Sequence, residues 1–252
     1  MVTSPHAGAR RTPCSAPAAV HAAIVAFGAL IALAMRVYPG GTAWDPTARG
    51  HDFWLNYLCD LSRGSALDGE PNPVGSALAR AAMVVLAVGF VPFFLSLPGL
   101  FPSRSCLGRA IRVLGCFGAL GAVAVGLLPN DRFGDIHVYA VLSGGLPGLA
   151  AAALAVVGLV RAGPSIRLAA VVGCAMFAVS AVDLGTYLGH EVAGSPAPMM
   201  LAVLERCALL LLLVWMHLVA RAKARALRAI VVAQPQSFTS ETSSPWRLSG
   251  RV

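Results

Sequence analysis

The sequence predicts an all-α fold: a polytopic membrane helical bundle of six transmembrane helices, with both termini cytoplasmic and one interfacial helix in the first outer loop. Three observations predict it. Six apolar runs approach or exceed the ~20 residues that an α-helix needs to cross the hydrocarbon core. Charged residues make up 12% of the 252-residue chain against 57% hydrophobic, and the mean hydropathy is +0.74, whereas a soluble domain carries about a quarter charged residues. Basic residues recur at every second connection between the runs.

The runs lie at about 18–38, 75–98, 108–128, 137–161, 167–188 and 198–221. They are too long for barrel strands, and only helices or closed barrels satisfy backbone polar groups in lipid. The chain thus divides into a tail over 1–17, a six-helix domain over 18–221 and a basic, then disordered tail over 222–252; the connections are short except for the outer loop 39–74. The first run follows Arg10 and Arg11 and contains Ala32-Leu33-Ala34, features of a cleaved signal peptide. Its length exceeds the usual 7–15-residue h-region, which favours a retained helix. Cys14 precedes the run, which gives no support for lipidation there.

Orientation follows from the arginines. Arg10 and Arg11, then Arg104 and Arg109, then Arg161 and Arg167, then Arg221, Lys223, Arg225 and Arg228 fall on one side, the cytoplasmic one by the positive-inside rule. Asp45, Asp52, Asp60, Asp68, Glu70, Asp131, Asp135, Asp183, Glu191 and Glu205 fall on or near the other side; of the acidic residues only Glu241 does not. The net charge of +8 therefore reports topology. A nucleic-acid partner, which needs a basic patch with base-reading or stacking groups, is not expected. Eighteen arginines against one lysine, with abundant alanine, point to a GC-rich bacterial genome, and so to a multi-pass protein of the bacterial inner membrane whose expected partners are membrane lipids.

In the outer loop, 51–61 reads as an amphipathic helix lying in the interface. Trp54, Tyr57, Leu58 and Leu61 share one face, with Asp52, Asn56, Cys59 and Asp60 on the other toward water or the bundle mouth. Between spans three and four, the stretch 126–137 reads as a tight hairpin with Asp135 as the N-cap of the fourth span; Asp131 is a site candidate whose structural alternative is an Asx turn after Pro129. Gly118, Ala122 and Gly126 form a small-residue ridge on span three, and Gly144 and Gly148 flank Pro147 on span four, a pattern for close contact between helices of one chain. Of cysteines 14, 59, 106, 116, 174 and 207, only Cys59 lies in the outer aqueous region, so no disulfide is expected.

Ionisable residues inside spans are costly and are functional candidates by default. Arg80, His137, Asp183, Glu205 and Arg206 converge on one level near the outer ends of four spans, and Ser180, Asp183, Tyr187 and His190 form a polar stripe on span five. Adjacent Glu205 and Arg206 point about 100° apart, so one is expected to pair with a neighbouring helix, and Arg80 is expected to pair with Asp183 or Glu205. The competing explanation is structural: an interfacial histidine at 137 and an ion pair that fixes register. His21 and His217 sit in the inner halves, away from this level. No metal site is expected, because zinc needs three protein ligands and this level offers His137, His190 and loosely spaced carboxylates. Paired histidines for haem and glycine-rich phosphate loops are likewise not evident.

Leu58-Cys59-Asp60-Leu61, Gly126-Leu127-Leu128-Pro129-Asn130-Asp131 followed by His137, and Leu204-Glu205-Arg206 resemble the pattern of a bacterial six-helix family known as domain of unknown function nine hundred and ninety-eight, itself similar to DRAM/Frag-type membrane proteins. The resemblance implies the fold and location, implies no activity, and puts Asp60, Asp131, His137, Glu205 and Arg206 where the family's recurrent polar residues stand. The family's usual Ile-Ser-Asp-Leu-Gly is replaced by Leu58 to Ser62.

The leading functional expectation is an outward-facing polar pocket of Asp60, Arg80, Asp131, His137, Asp183, Glu205 and Arg206 that binds a lipid headgroup, small molecule or cation. Two alternatives remain open: a membrane-embedded enzyme using carboxylate and histidine acid–base chemistry on a lipid-linked substrate, and a structural or regulatory membrane subunit. Catalytic residues and cofactors are not specified by the sequence.

Overall fold

A computed structural model describes residues 15–101, 105–191, 194 and 198–233. Arg10, Arg11, Cys14, Arg104, Glu241 and the tail beyond 233, all of which bear on the sequence-based topology, lie outside the described residues. The helices are α1 (Ser15–Val37), α2 (Pro73–Ser96), α3 (Ser105–Leu127), the single turn α4 (Asn130–Phe133), α5 (Asp135–Arg161), α6 (Arg167–Glu191) and α7 (Met200–Ala233). Six of them, all but α4, are long and apolar enough to cross a bilayer, and no strand occurs among the described residues. The chain is a multi-pass membrane helical bundle.

Local chemistry sets the boundaries. Pro73 opens α2, where its missing N–H costs no intrahelical bond. Gly134, at φ +48°, breaks the chain between α4 and α5. It takes the capping position expected for Asp135; Asp135 instead lies in the first turn of α5, where a carboxylate meets the positive end of the helix dipole. The last helix runs past 221 through Arg221, Lys223, Arg225 and Arg228, because the alternating Ala and Arg there are good helix formers.

Sequential helices pack as neighbours: α1 on α2, α2 on α3, α3 on α5, α5 on α6 and α6 on α7, while α7 returns to α1. Phe93 of α2 meets Trp215 of α7 edge-on at 5.1 Å, so α2, α3, α5, α6 and α7 surround a central space and α1 packs outside the α2–α7 seam. Glycines bring the helices close. A Cβ on Gly121 would strike the Gly144 backbone, and one on Gly118 would stand 3.0 Å from Gly148 Cα. Gly144 and Gly148 thus make an intramolecular α3–α5 contact. The α3 side uses Gly118 and Gly121, while Gly126 faces Met83 of α2. Lipid offers no hydrophobic drive for association, so such close backbone packing carries much of the stability. Outward positions such as Val25, Val88, Leu120 and Val171 are exposed and apolar, as a lipid-facing surface requires.

Candidate functional site

The loop 39–72 folds across the ends of α1, α2 and α7, held through its backbone carbonyls and amides. Asn56, fully buried, donates from Nδ2 to Gly41 O at 2.8 Å and to Asp60 Oδ2 at 3.2 Å, and its Oδ1 accepts the Asp52 N–H at 2.9 Å. Asp60 Oδ2 also accepts the Tyr57 N–H at 2.8 Å. The helical element of this loop is a five-residue 3-10 helix, Leu58–Ser62, shorter than the amphipathic helix expected over 51–61. Its polar side turns inward: Asn56 and Asp60 are buried beside Leu61, while Phe53 and Trp54 are exposed. The buried carbonyls and amides in this loop need partners, and the short side chains of Asn56 and Asp60 supply them.

Glu205 and Arg206 of α7 both grip this loop. Arg206, 1% exposed, donates from Nε to Phe53 O at 3.1 Å and from Nη2 to Asn56 O at 2.8 Å, with its guanidinium 5.6 Å from the Phe53 ring centroid. Glu205 Oε2 accepts the Leu58 N–H at 2.9 Å. Arg206 Nη1 has no hydrogen-bond partner but lies 3.5 Å from Glu205 Oε2, an electrostatic contact. Adjacent residues therefore meet at one loop, because side chains about 100° apart on α7 still reach the same chain crossing its end.

On the α2 side, Arg80 donates from Nε at 3.3 Å and Nη2 at 3.1 Å to Ser62 O, which Ser76 Oγ also reaches at 3.1 Å. The expected pairing of Arg80 with Asp183 or Glu205 is not formed; its guanidinium is taken up by the Ser62 carbonyl of the loop. Asn72 Nδ2 donates to Leu61 O and Arg63 O, both at 3.1 Å. Asp131 Oδ2 accepts the Gly64 N–H at 2.8 Å, linking α4 to the loop. His137, buried at the start of α5, places Nδ1 2.6 Å from Leu128 O and so closes the turn between α3 and α5.

Electrostatics follow from this burial. Burial pushes the Asp60 carboxyl upward against the bonds from Asn56 and Tyr57 and the charges of Arg63 and Arg206. Burial also raises the Cys59 thiol well above its ordinary value, with Asp60 and Glu205 adding to it. His51 is lowered to about 4 by burial first and the Arg206 cation second, opposed by Asp52. Burial takes the Tyr38 phenol up to about 12, while its oxygen accepts the Leu67 N–H.

Six of the seven polar residues singled out in the sequence are thus engaged at the loop and the adjoining turn, whereas Asp183 makes no hydrogen bond or ion pair with them, although the Glu205 carboxylate lies within its electrostatic reach. It lines a half-open cavity of about 300 Å³ between the helices, with walls from five of them, among them Met83, Phe90, Phe94, Met176, Leu212 and Trp215, and is itself half-buried. Ser180, one turn away on α6, also lines it, with its Oγ in contact with Met176 Sδ at 3.6 Å, and the buried indole N–H of Trp215 has no hydrogen-bond partner among the described residues. Further along the expected stripe, His190 lies 3.7 Å from Glu191. Arg80 is one turn above Met83 on α2 and Glu205 two turns above Leu212 on α7, so the strapped loop sits over the cavity's α2–α7 side.

One pairing is not evident from the sequence. The rings of His21 on α1 and His217 on α7 lie 4.9 Å apart, although the sequence offered no paired histidines on facing helices. Their direct contact leaves no space for a macrocycle between them. Helices distant in sequence juxtapose residues whose depth is countable but whose facing is not; the α1–α7 closure was the missing information. Among the described residues no three His, Cys, Asp or Glu side chains are grouped to hold a metal. Searches against protein-family models, curated proteins and solved structures match this chain to none of them.

Proposed function

We propose that this chain is a bacterial inner-membrane protein that binds a small lipophilic molecule within the bilayer, with Asp183 as the polar anchor. The observation that carries the reading is a cavity of about 300 Å³ among five helices, apolar except for Asp183, Ser180 and the indole N–H of Trp215. Small-molecule sites have this character, mostly apolar walls with few convergent polar groups. An intramembrane carboxylate needs a reason to stand there. Asp60, Arg80, Asp131, Glu205 and Arg206 hold the loop in place over the bundle end, and His137 closes the adjoining α3–α5 turn. The family resemblance implies a membrane location and no activity, and its recurrent polar positions do not include Asp183.

In this reading the arginine-bearing ends face the cytoplasm and the loop 39–72 faces outward, where Phe53 and Trp54, 38% and 49% exposed, lie at headgroup level. A cysteine placed at exposed Thr47 should react with an impermeant maleimide in intact cells. Protection until lysis would reverse the orientation.

The binding test is purification of the full chain in lipid nanodiscs followed by native mass spectrometry. A retained molecule, lost in Asp183→Leu, is the expected result. If nothing beyond bulk lipid is retained and no lipophilic probe alters Trp215 fluorescence, the cavity is packing space and the reading fails.

A further inference from the structure

We propose that the ligand of the Asp183 cavity is a lipophilic monoamine held as its ammonium. This rests on the binding function proposed above and narrows it to one chemical class. Asp183 is the one ionisable side chain lining the cavity, and among the described residues no hydrogen-bond donor reaches its carboxyl group. The cations nearest in depth are committed elsewhere: Arg80 to Ser62 O, and Arg206 to Phe53 O, Asn56 O and Glu205. Among the described residues no cation therefore lines the cavity to neutralise Asp183 or to balance an anion, and the one unpaired donor among its walls is the neutral indole N–H of Trp215.

The walls match the other half of such a ligand. Phe90, Phe94 and Trp215 offer aromatic rings, whose faces attract cations, and Met83 and Met176 offer polarisable sulfur. A volume of about 300 Å³ is at the small end of ligand sites and accommodates one bicyclic or similarly compact apolar body with a short polar arm.

Charge balance supports the same class. A lipophilic amine partitions into the bilayer as the free base, and where it meets the carboxyl form of Asp183 the carboxyl proton passes to the amine nitrogen. The carboxyl O–H bond breaks and an ammonium N–H bond forms. The pair that results has no net charge, so no isolated ion crosses hydrocarbon, and the low dielectric strengthens the attraction. A carboxylate ligand would place two acids in one apolar space.

The experiment uses the full chain in nanodiscs with three probes of nearly equal size: naphthylethylamine, naphthylethanol and naphthylacetate. Binding is measured by calorimetry and native mass spectrometry against empty nanodiscs. The expected result is binding of the amine at least about tenfold tighter than the alcohol, with the carboxylate weakest. Asp183→Asn should abolish the preference and bring amine and alcohol to equal affinity. Equal affinity of amine and alcohol in the unaltered protein would overturn the amine assignment and leave the cavity as a lipophilic site. Uptake of all three no greater than by empty nanodiscs would overturn both. The comparison within the unaltered protein needs no variant to fold.

Discussion

Arg206 and Asn56, 150 positions apart, are joined by a hydrogen bond of 2.8 Å from the Arg206 guanidinium to the Asn56 carbonyl. Asn56 in turn uses its side chain to fix Gly41 and Asp60, so a charge on α7 organises three separate segments of the loop. The planar fork suits this task, because Nε and Nη2 reach two successive turns of the loop, at Phe53 and Asn56.

Arg206→Ala should therefore free the loop as well as destabilise the bundle. Removing one member of a buried charged contact costs about 3–5 kcal/mol, and two carbonyls lose their donor. Arg206→Lys keeps the charge without the fork and should recover only part of this. Limited proteolysis within 51–62, alongside thermal unfolding in nanodiscs, reads both effects. Cleavage no faster in Arg206→Ala than in the unaltered protein would mean that the loop is held by other contacts.

Glu205 has a different dependence. Its Oε2 accepts the Leu58 N–H and faces Arg206 Nη1. Glu205→Gln retains an acceptor for the amide and loses the charge; Glu205→Leu loses both and leaves a partly buried N–H unpaired, at about 1–3 kcal/mol. The order of melting temperatures should be unaltered protein, Gln, then Leu. A Leu variant as stable as Gln would show that water replaces the carboxylate at Leu58.

The six spans were legible because lipid imposes length and hydropathy on every one of them, and the ionisable residues within them stood out against that background. Their partners were not legible. Arg80, Arg206 and Asp131 all bind main-chain atoms of the loop, at Ser62, Phe53, Asn56 and Gly64, and a carbonyl or amide leaves no mark in the residue type that carries it. A helical period over 51–61 puts Asn56 on a face turned to water or to the bundle mouth, and it carries no sign that the side chain would close the loop's own turns through Gly41 and Asp60. Depth alone groups Asp183 with the rest; only the arrangement of five helices shows that it lines a cavity between them.

The α3–α5 seam makes a sharp prediction about glycine. At Gly121 an added Cβ meets the Gly144 backbone, which has no flexible end to move aside, while at Gly28 nothing lies within 4 Å. Gly121→Ala should destabilise by about 1–3 kcal/mol through overpacking. Gly28→Ala should be neutral or stabilise by up to about 1 kcal/mol through helix propensity. Chemical or thermal unfolding of the two variants measures the contrast, and equal stability would refute the close approach of the two backbones.

His51 predicts an acid-sensitive loop. Its folded-state value is lowered from 6.5 to about 4 by burial and the Arg206 charge, with Asp52 opposing. Between those values the unfolded chain binds more protons, so the stability His51 contributes is full above pH 6.5 and is lost as pH falls toward 4. The loss is on the order of 2 kcal/mol after allowing for partial exposure. Melting temperature followed from pH 7 to 4 should decline less steeply in His51→Gln than in the unaltered protein. Parallel declines would assign the acid sensitivity to other groups.

Cys59 tests the loop's electrostatics independently of unfolding. Its thiol is raised first by burial, then by the carboxylates of Asp60 and Glu205, with Arg206 and Arg63 acting oppositely. Since the thiolate is the reactive form, alkylation at pH 8 in a variant retaining only Cys59 should be slower than that of a small free thiol by about tenfold or more. Asp60→Asn preserves an acceptor for the Tyr57 N–H at 2.8 Å while removing the nearest negative charge, so the thiol value falls and alkylation accelerates. Acceleration with an unchanged melting temperature isolates the charge effect from loop opening. An unchanged rate in Asp60→Asn would mean that burial alone governs the thiol, and that the Asp60 carboxyl is already neutral beside it.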